Sequence, residues 1–174
     1  MTRGKFWFGA SAISVNGLWL RAGFPVYAPG ASSYDDMLFM KLAGYLGSGH
    51  WLGPYNELTL AKGMFYPLFV LVAFVSAIPL KIAEQMVYLG ASVIAARVVA
   101  GRSGSERLSL FLFAALAFNP VLWSAHLARV IREGIYVSLS LATVTLVLAV
   151  AFPRAPSWKR AIALGLVGAA FWLT

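Results

Sequence analysis

The sequence predicts an all-α, multi-pass transmembrane protein of about five spans, with juxtamembrane helices in a large first outer loop. Three observations carry this prediction. Apolar residues make up 60% of the 174-residue chain and charged residues only 11%, against about 45–50% and about 25% in soluble domains. The apolar residues fall into long runs separated by short charged loops, the pattern of helical spans. No strand-like alternation runs through them, which argues against a membrane β-barrel. The chain has no cysteine, so disulfides and thiolate metal sites are excluded. The net charge is +8, but the basic residues lie mostly at the ends of apolar runs, where they orient spans. No basic patch interleaves with aromatics on a polar face, so no nucleic-acid partner is expected.

The expected organisation is one transmembrane module over residues 1–174. A basic start, Arg3 and Lys5, precedes the first apolar run, residues 6–20. That run contains Asn16, and no small-x-small cleavage site follows it, so it reads as an uncleaved first span. Residues 21–62 are rich in Gly and Pro and do not span. Further apolar runs follow at 64–80, 82–100, 108–125, 134–152 and 161–174. The last is about 21 Å long as helix against a hydrocarbon core of about 30 Å. The chain is therefore expected to be the amino-terminal portion of a longer protein, or to join further membrane subunits.

Charge decides the course of the 64–80 run. If it crossed the bilayer, Arg97, Arg102, Arg107, Arg154, Lys159 and Arg160 would lie opposite Arg3 and Lys5, against the positive-inside tendency. If it dips in and stays on the outer side, all of these cations are cytoplasmic with only Glu106 beside them. Asp35, Asp36, Glu57, Glu84 and Glu133 then fall outside. Length agrees: residues 65–78 precede Pro79, and Pro67 sits near the start, where proline is tolerated. A juxtamembrane or re-entrant helix is expected here, and the N-terminus of the chain is expected to be cytoplasmic.

The candidate chemistry gathers in the outer loops. Asp35 and Asp36 are adjacent in a chain with only six acidic residues, and carboxylates beside a bilayer need water, a cation or a partner. Ser33-x-x-Asp36 fits a helix start, and Met37 to Leu46 suit a short amphipathic helix stopped by Gly47. Asp36 thus has a structural reading as a helix-terminus acid; Asp35 has none comparable. A carboxylate here can act as a general base or hold a divalent cation. In the next loop Trp51 and Tyr55 suit the membrane–water interface, and His50 reads as a loop residue. Lys62 reads either as an interfacial anchor or as a cation for a lipid-linked phosphate. Arg129 and Arg132 stand on the acidic side, against the orientation tendency. They suit phosphate or carboxylate binding, or a salt bridge with Glu133 or an outer-loop acid. No nucleotide-binding loop is present.

The order of these parts resembles the integral-membrane glycosyltransferases of the GT-C superfamily, in the bacterial branch of aminoarabinose transferases and protein mannosyltransferase relatives. Asp35-Asp36 matches the acidic pair of the first outer loop. Gly49-His50-Trp51-Leu52-Gly53-Pro54 matches a Gly-x-Trp-Leu-x-Pro stretch. Lys62-Gly63-Met64-Phe65-Tyr66-Pro67-Leu68 matches a Lys before an aromatic embedded helix, with Gly63 and Met64 where Lys-Pro-Pro is usual. The turn from His126 to Glu133 matches in placement. The resemblance implies inverting sugar transfer at the outer face of a bacterial inner membrane, from a polyprenyl-phosphate sugar held in the membrane lipid. Asp35 would be the base and Asp36 its support or, with Asp35, a metal ligand. Lys62, Tyr66, Arg129, Arg132 and Glu133 would bind the substrates. The alternative is a non-catalytic membrane scaffold or subunit with the same fold.

Overall fold

In a computed structural model, residues 1–26, 35–51, 53–54, 63–153 and 157–174 are described. They form seven α-helices: α1 (Arg3–Ala22), α2 (Asp35–Gly47), α3 (Phe65–Val75), α4 (Leu80–Ser103), α5 (Glu106–Ala117), α6 (Glu133–Ala151) and α7 (Trp158–Trp172). Two short 3-10 turns, Pro120–Trp123 and Ala125–Ala128, lie between α5 and α6. No strand occurs among the described residues. Three segments are long and apolar enough to cross a membrane: α4, Glu106–Trp123 and α6. α1 is as long, at 20 residues, but less apolar. α7 has 15 residues and α3 has 11.

Two elements differ from the sequence pattern, each for a local reason. The apolar run after Tyr66 was expected to stay helical to Ile78, yet α3 stops at Val75. Ala77 turns into the left-handed region at φ 53°. Its N–H donates to the Phe74 carbonyl, and the Ile78 N–H donates to the Ala73 carbonyl. This paired closure satisfies the last carbonyls of a helix and usually takes glycine at the turning position. α3 is therefore about 16 Å long, roughly half the hydrocarbon core. The apolar run 108–125 is likewise not one helix. α5 ends at Ala117, and Asn119 accepts from the Val121 N–H to open a 3-10 turn at Pro120. Proline offers no N–H and disfavours helical backbone in the residue before it.

The contacts fix the directions of the helices. Gly9 of α1 packs on Leu110 of α5, and Arg21 reaches the Leu122 carbonyl, so α1 runs alongside α5 in the same sense. α4 runs opposite to both: Arg97 lies over the Phe6 ring, and Gln85 approaches Gly17. Glu84 touches Gly134 at the start of α6, while Arg102 donates to the Leu148 and Phe152 carbonyls at its end. α4 and α6 are therefore parallel. Tyr136 and Phe171 meet with ring centroids 4.7 Å apart, so α7 returns antiparallel to α6. The chain leaves α1 and re-enters α4 at the same end of the bundle.

The buried faces of α4 and α6 include many small side chains. α4 buries Ala91, Ser92, Ala95, Ala96 and Ala100, and α6 buries Ser138, Ala142 and Ala149. Such residues let helix backbones approach closely without a water-driven hydrophobic force. Among the described residues the acids gather mainly at one of the two ends. Arg3, Lys5, Arg97, Arg102, Arg107, Lys159 and Arg160 stand at one end with Glu106, which Arg97 holds at 2.6 Å. Asp36, Glu84 and Glu133 stand at the other.

Candidate functional site

The acidic end is organised around α2 and α3. α2 buries Asp36, Phe39, Leu42 and Ala43, the spacing of one helical face. That face packs on α3, where the Phe39 and Tyr66 rings meet edge to face at 4.8 Å. Asp35 and Asp36 occupy the first turn of α2, where the helix dipole favours negative charge. Ser33, the expected cap, lies outside the described residues.

Asp36 is only 2% exposed, and its carboxylate is engaged across the fold. Arg129 Nη2 donates to Oδ1 at 2.8 Å and Nε donates to Oδ2 at 3.1 Å. This two-pronged geometry is the strong form of the ion pair. An outer-loop acid, one of the partners the sequence offered for Arg129, meets it. Asp35 is partly exposed beside this pair. Both oxygens of Asp36 thus face one guanidinium, a donor set suited to an ion pair rather than to a metal. No three His, Asp or Glu side chains converge among the described residues.

Below the pair lies a second, fully buried cluster. Lys81 Nζ donates to Glu84 Oε2 at 2.8 Å and Oε1 at 2.9 Å. The Tyr66 hydroxyl donates to Glu84 Oε1 at 3.4 Å. Burial first, then the Glu84 carboxylate, holds the Tyr66 phenol well above its usual pKa, so the hydroxyl remains a donor. Asp36 and Glu133 both lie close enough to act on that phenol. Gly134 is required here because a Cβ would sit inside the Glu84 carboxylate. Arg21 reaches the same cluster from α1. Its guanidinium donates to the Leu122 carbonyl at 2.8 Å and lies over the rings of Phe24 and Trp123, a cation–π enclosure. Arg21 Nε and Gln85 Nε2 are buried with no hydrogen-bond partner among the described residues.

The structure therefore brings together Asp35, Asp36, Tyr66, Arg129 and Glu133. Tyr66 is fully buried and faces Glu84 rather than an open surface. Glu133 is exposed in the first turn of α6, and Arg132 is half-buried just before it. Lys62, Tyr55, Leu52 and Glu57 lie outside the described residues. Gly63, where the resembled motif has proline, packs so closely on the Leu173 carbonyl that a Cβ would overlap it. Sequence reasoning missed Arg21, Lys81, Glu84 and Gln85 as members of one cluster. The available signal was four polar residues at the ends of apolar runs on the same side.

No protein-family model matches the chain, and neither a curated protein nor a solved structure matches it.

Proposed function

We propose that the chain is a GT-C-like membrane glycosyltransferase module. It moves a sugar from a polyprenyl-phosphate donor to an acceptor at the outer face of a bacterial inner membrane. In this reading α1, α4, α5, α6 and α7 cross the bilayer with the N-terminus cytoplasmic, while α2 and α3 stay at the outer face. The observation that supports it is the docking of the acid pair on the short α3 and on Arg129. In this reading a carboxylate and cations would lie near the level of a lipid-linked phosphate.

The chemistry follows from these residue types. The acceptor hydroxyl or amine gives its proton to Asp35 as it forms a bond to the anomeric carbon. The bond from that carbon to the phosphate oxygen breaks, and negative charge grows on the departing polyprenyl phosphate. Lys62 and Arg132, with the outer edge of Arg129, neutralise that charge. Asp36 orients the start of α2 through Arg129. Tyr66 supports the site through Glu84, and Glu133 faces the approaching acceptor.

Asp35→Asn is expected to abolish donor-dependent sugar transfer while membrane insertion and helicity stay unchanged. Wild-type transfer by this variant would overturn the assignment. The second reading, a non-catalytic subunit of the same fold, is favoured by the way Asp36 and Glu84 are each held by a cation. Under that reading neither this chain nor a longer form containing it transfers sugar.

A further inference from the structure

The basic end of the bundle holds a half-open groove of about 360 Å³ between α4, the end of α6 and the start of α7. Its wall is apolar along Val93, Ile94, Val98 and Leu146, and its rim carries Arg97, Arg102 and Arg160. Nine residues of helix separate Val93 from Arg102, so the groove extends about 14 Å along the bundle axis.

The three arginines are not equivalent. Arg97 is tied to Glu106 at 2.6 Å and stands over Phe6. Arg102 donates to the Leu148 and Phe152 carbonyls and stands over the Phe152 ring. Arg160 is exposed in the first turn of α7, where the helix dipole adds positive potential. Trp158 beside it is 69% exposed, as suits a residue at the headgroup level. Among the described residues Glu106 is the only acid at this end, so the rim keeps an excess of positive charge. Apolar surface over one helical length, ending in cations beside an interfacial tryptophan, is complementary to one kind of molecule.

We propose that this groove binds one anionic phospholipid, its acyl chain along Val93, Ile94, Val98 and Leu146 and its phosphate at Arg160 and Arg102. Basic pockets between membrane helices take acidic headgroups in this way. The site is separate from the acid pair at the other end and does not depend on the sugar-transfer reading.

The test uses the intact chain in detergent, titrated with phosphatidylglycerol or phosphatidylcholine and followed by native mass spectrometry. Phosphatidylglycerol should bind selectively. Arg160→Glu should weaken it at least about fivefold, from the contribution of one cation near the headgroup. Arg3→Glu makes the same charge change at the same end but outside the groove, and should leave binding unchanged. Ile94→Trp, which fills the apolar wall, should reduce retention of the lipid while helicity is kept. Equal binding of the two lipids overturns the proposal. So does an equal loss in Arg160→Glu and Arg3→Glu, which would mean diffuse attraction only. Competition by glycerol phosphate at the lipid's own concentration would show that the chain is not held, and would also overturn it.

Discussion

Lys81→Met should be among the most damaging single changes in the fold. Lys81 and Glu84 are 1% and 2% exposed, so neither charge is relieved by solvent. Removing the ammonium strips the Glu84 carboxylate of donors at 2.8 and 2.9 Å. The Tyr66 hydroxyl, a long donor at 3.4 Å, compensates only weakly. Breaking a buried pair from one side costs about 3–5 kcal/mol. Glu84→Gln keeps an acceptor for both Lys81 and Tyr66 and loses only charge, so about 2–3 kcal/mol is expected. The double variant removes both charges and keeps the volume, and should cost only about 1–2 kcal/mol. That residue reflects the lost attraction between Glu84 and Arg21. The assay is unfolding in mixed dodecyl maltoside and SDS micelles, followed by circular dichroism. Single losses below about 1 kcal/mol, or singles that sum to the double within about 0.5 kcal/mol, would refute a coupled buried pair.

Other outcomes can be checked in the same micelles. Gly134→Ala should destabilise by about 1–3 kcal/mol through overlap with the Glu84 carboxylate, and that cost should be smaller when measured in a Glu84→Ala background but not in a Glu84→Gln background. Arg129→Gln should cost about 2–3 kcal/mol by leaving the buried Asp36 carboxylate without its two-pronged partner, measured as a lower unfolding midpoint. Ala77→Gly should stabilise by about 0.5–1 kcal/mol, because glycine enters the left-handed turn after α3 without steric cost. Gln85→Leu should be neutral or stabilising, since it removes a buried donor that has no acceptor; a marked loss of stability would mean that Gln85 holds something essential.

The helices themselves were legible in the sequence. Apolar runs, Gly47 and the flanking charges located α1, α2, α4, α6 and α7, because bilayer length and helix-end chemistry are local properties. The α3 closure at Ala77 was not legible, since nothing in its residue type forces a left-handed turn. The break at Pro120 was legible in principle, because a proline after Asn119 interrupts an otherwise apolar run. The site was legible only in outline. Asp35 and Asp36 stood out by their rarity, and Arg129 by being a cation on the acidic side. That Arg129 should seize Asp36, 93 residues away, is a tertiary fact with no periodic trace. The same holds for Arg21, Lys81 and Glu84, whose charges read as ordinary helix-end residues until the helices are assembled. Asp36 is held by Arg129, and Asp35 stands partly exposed beside it.

The most direct measurement concerns the central claim that the chain leaves α1 and returns to α4 on one side of the membrane, without crossing at α3. The absence of cysteine makes single-cysteine labelling clean. Ser48→Cys, just after α2, and Ser103→Cys, at the end of α4, are both exposed positions. With a membrane-impermeant maleimide applied to intact spheroplasts, Ser48→Cys should label and Ser103→Cys should label only after lysis. Labelling of both, or of neither, before lysis would mean that α3 crosses the bilayer, and the acid pair would lose its place at the outer face.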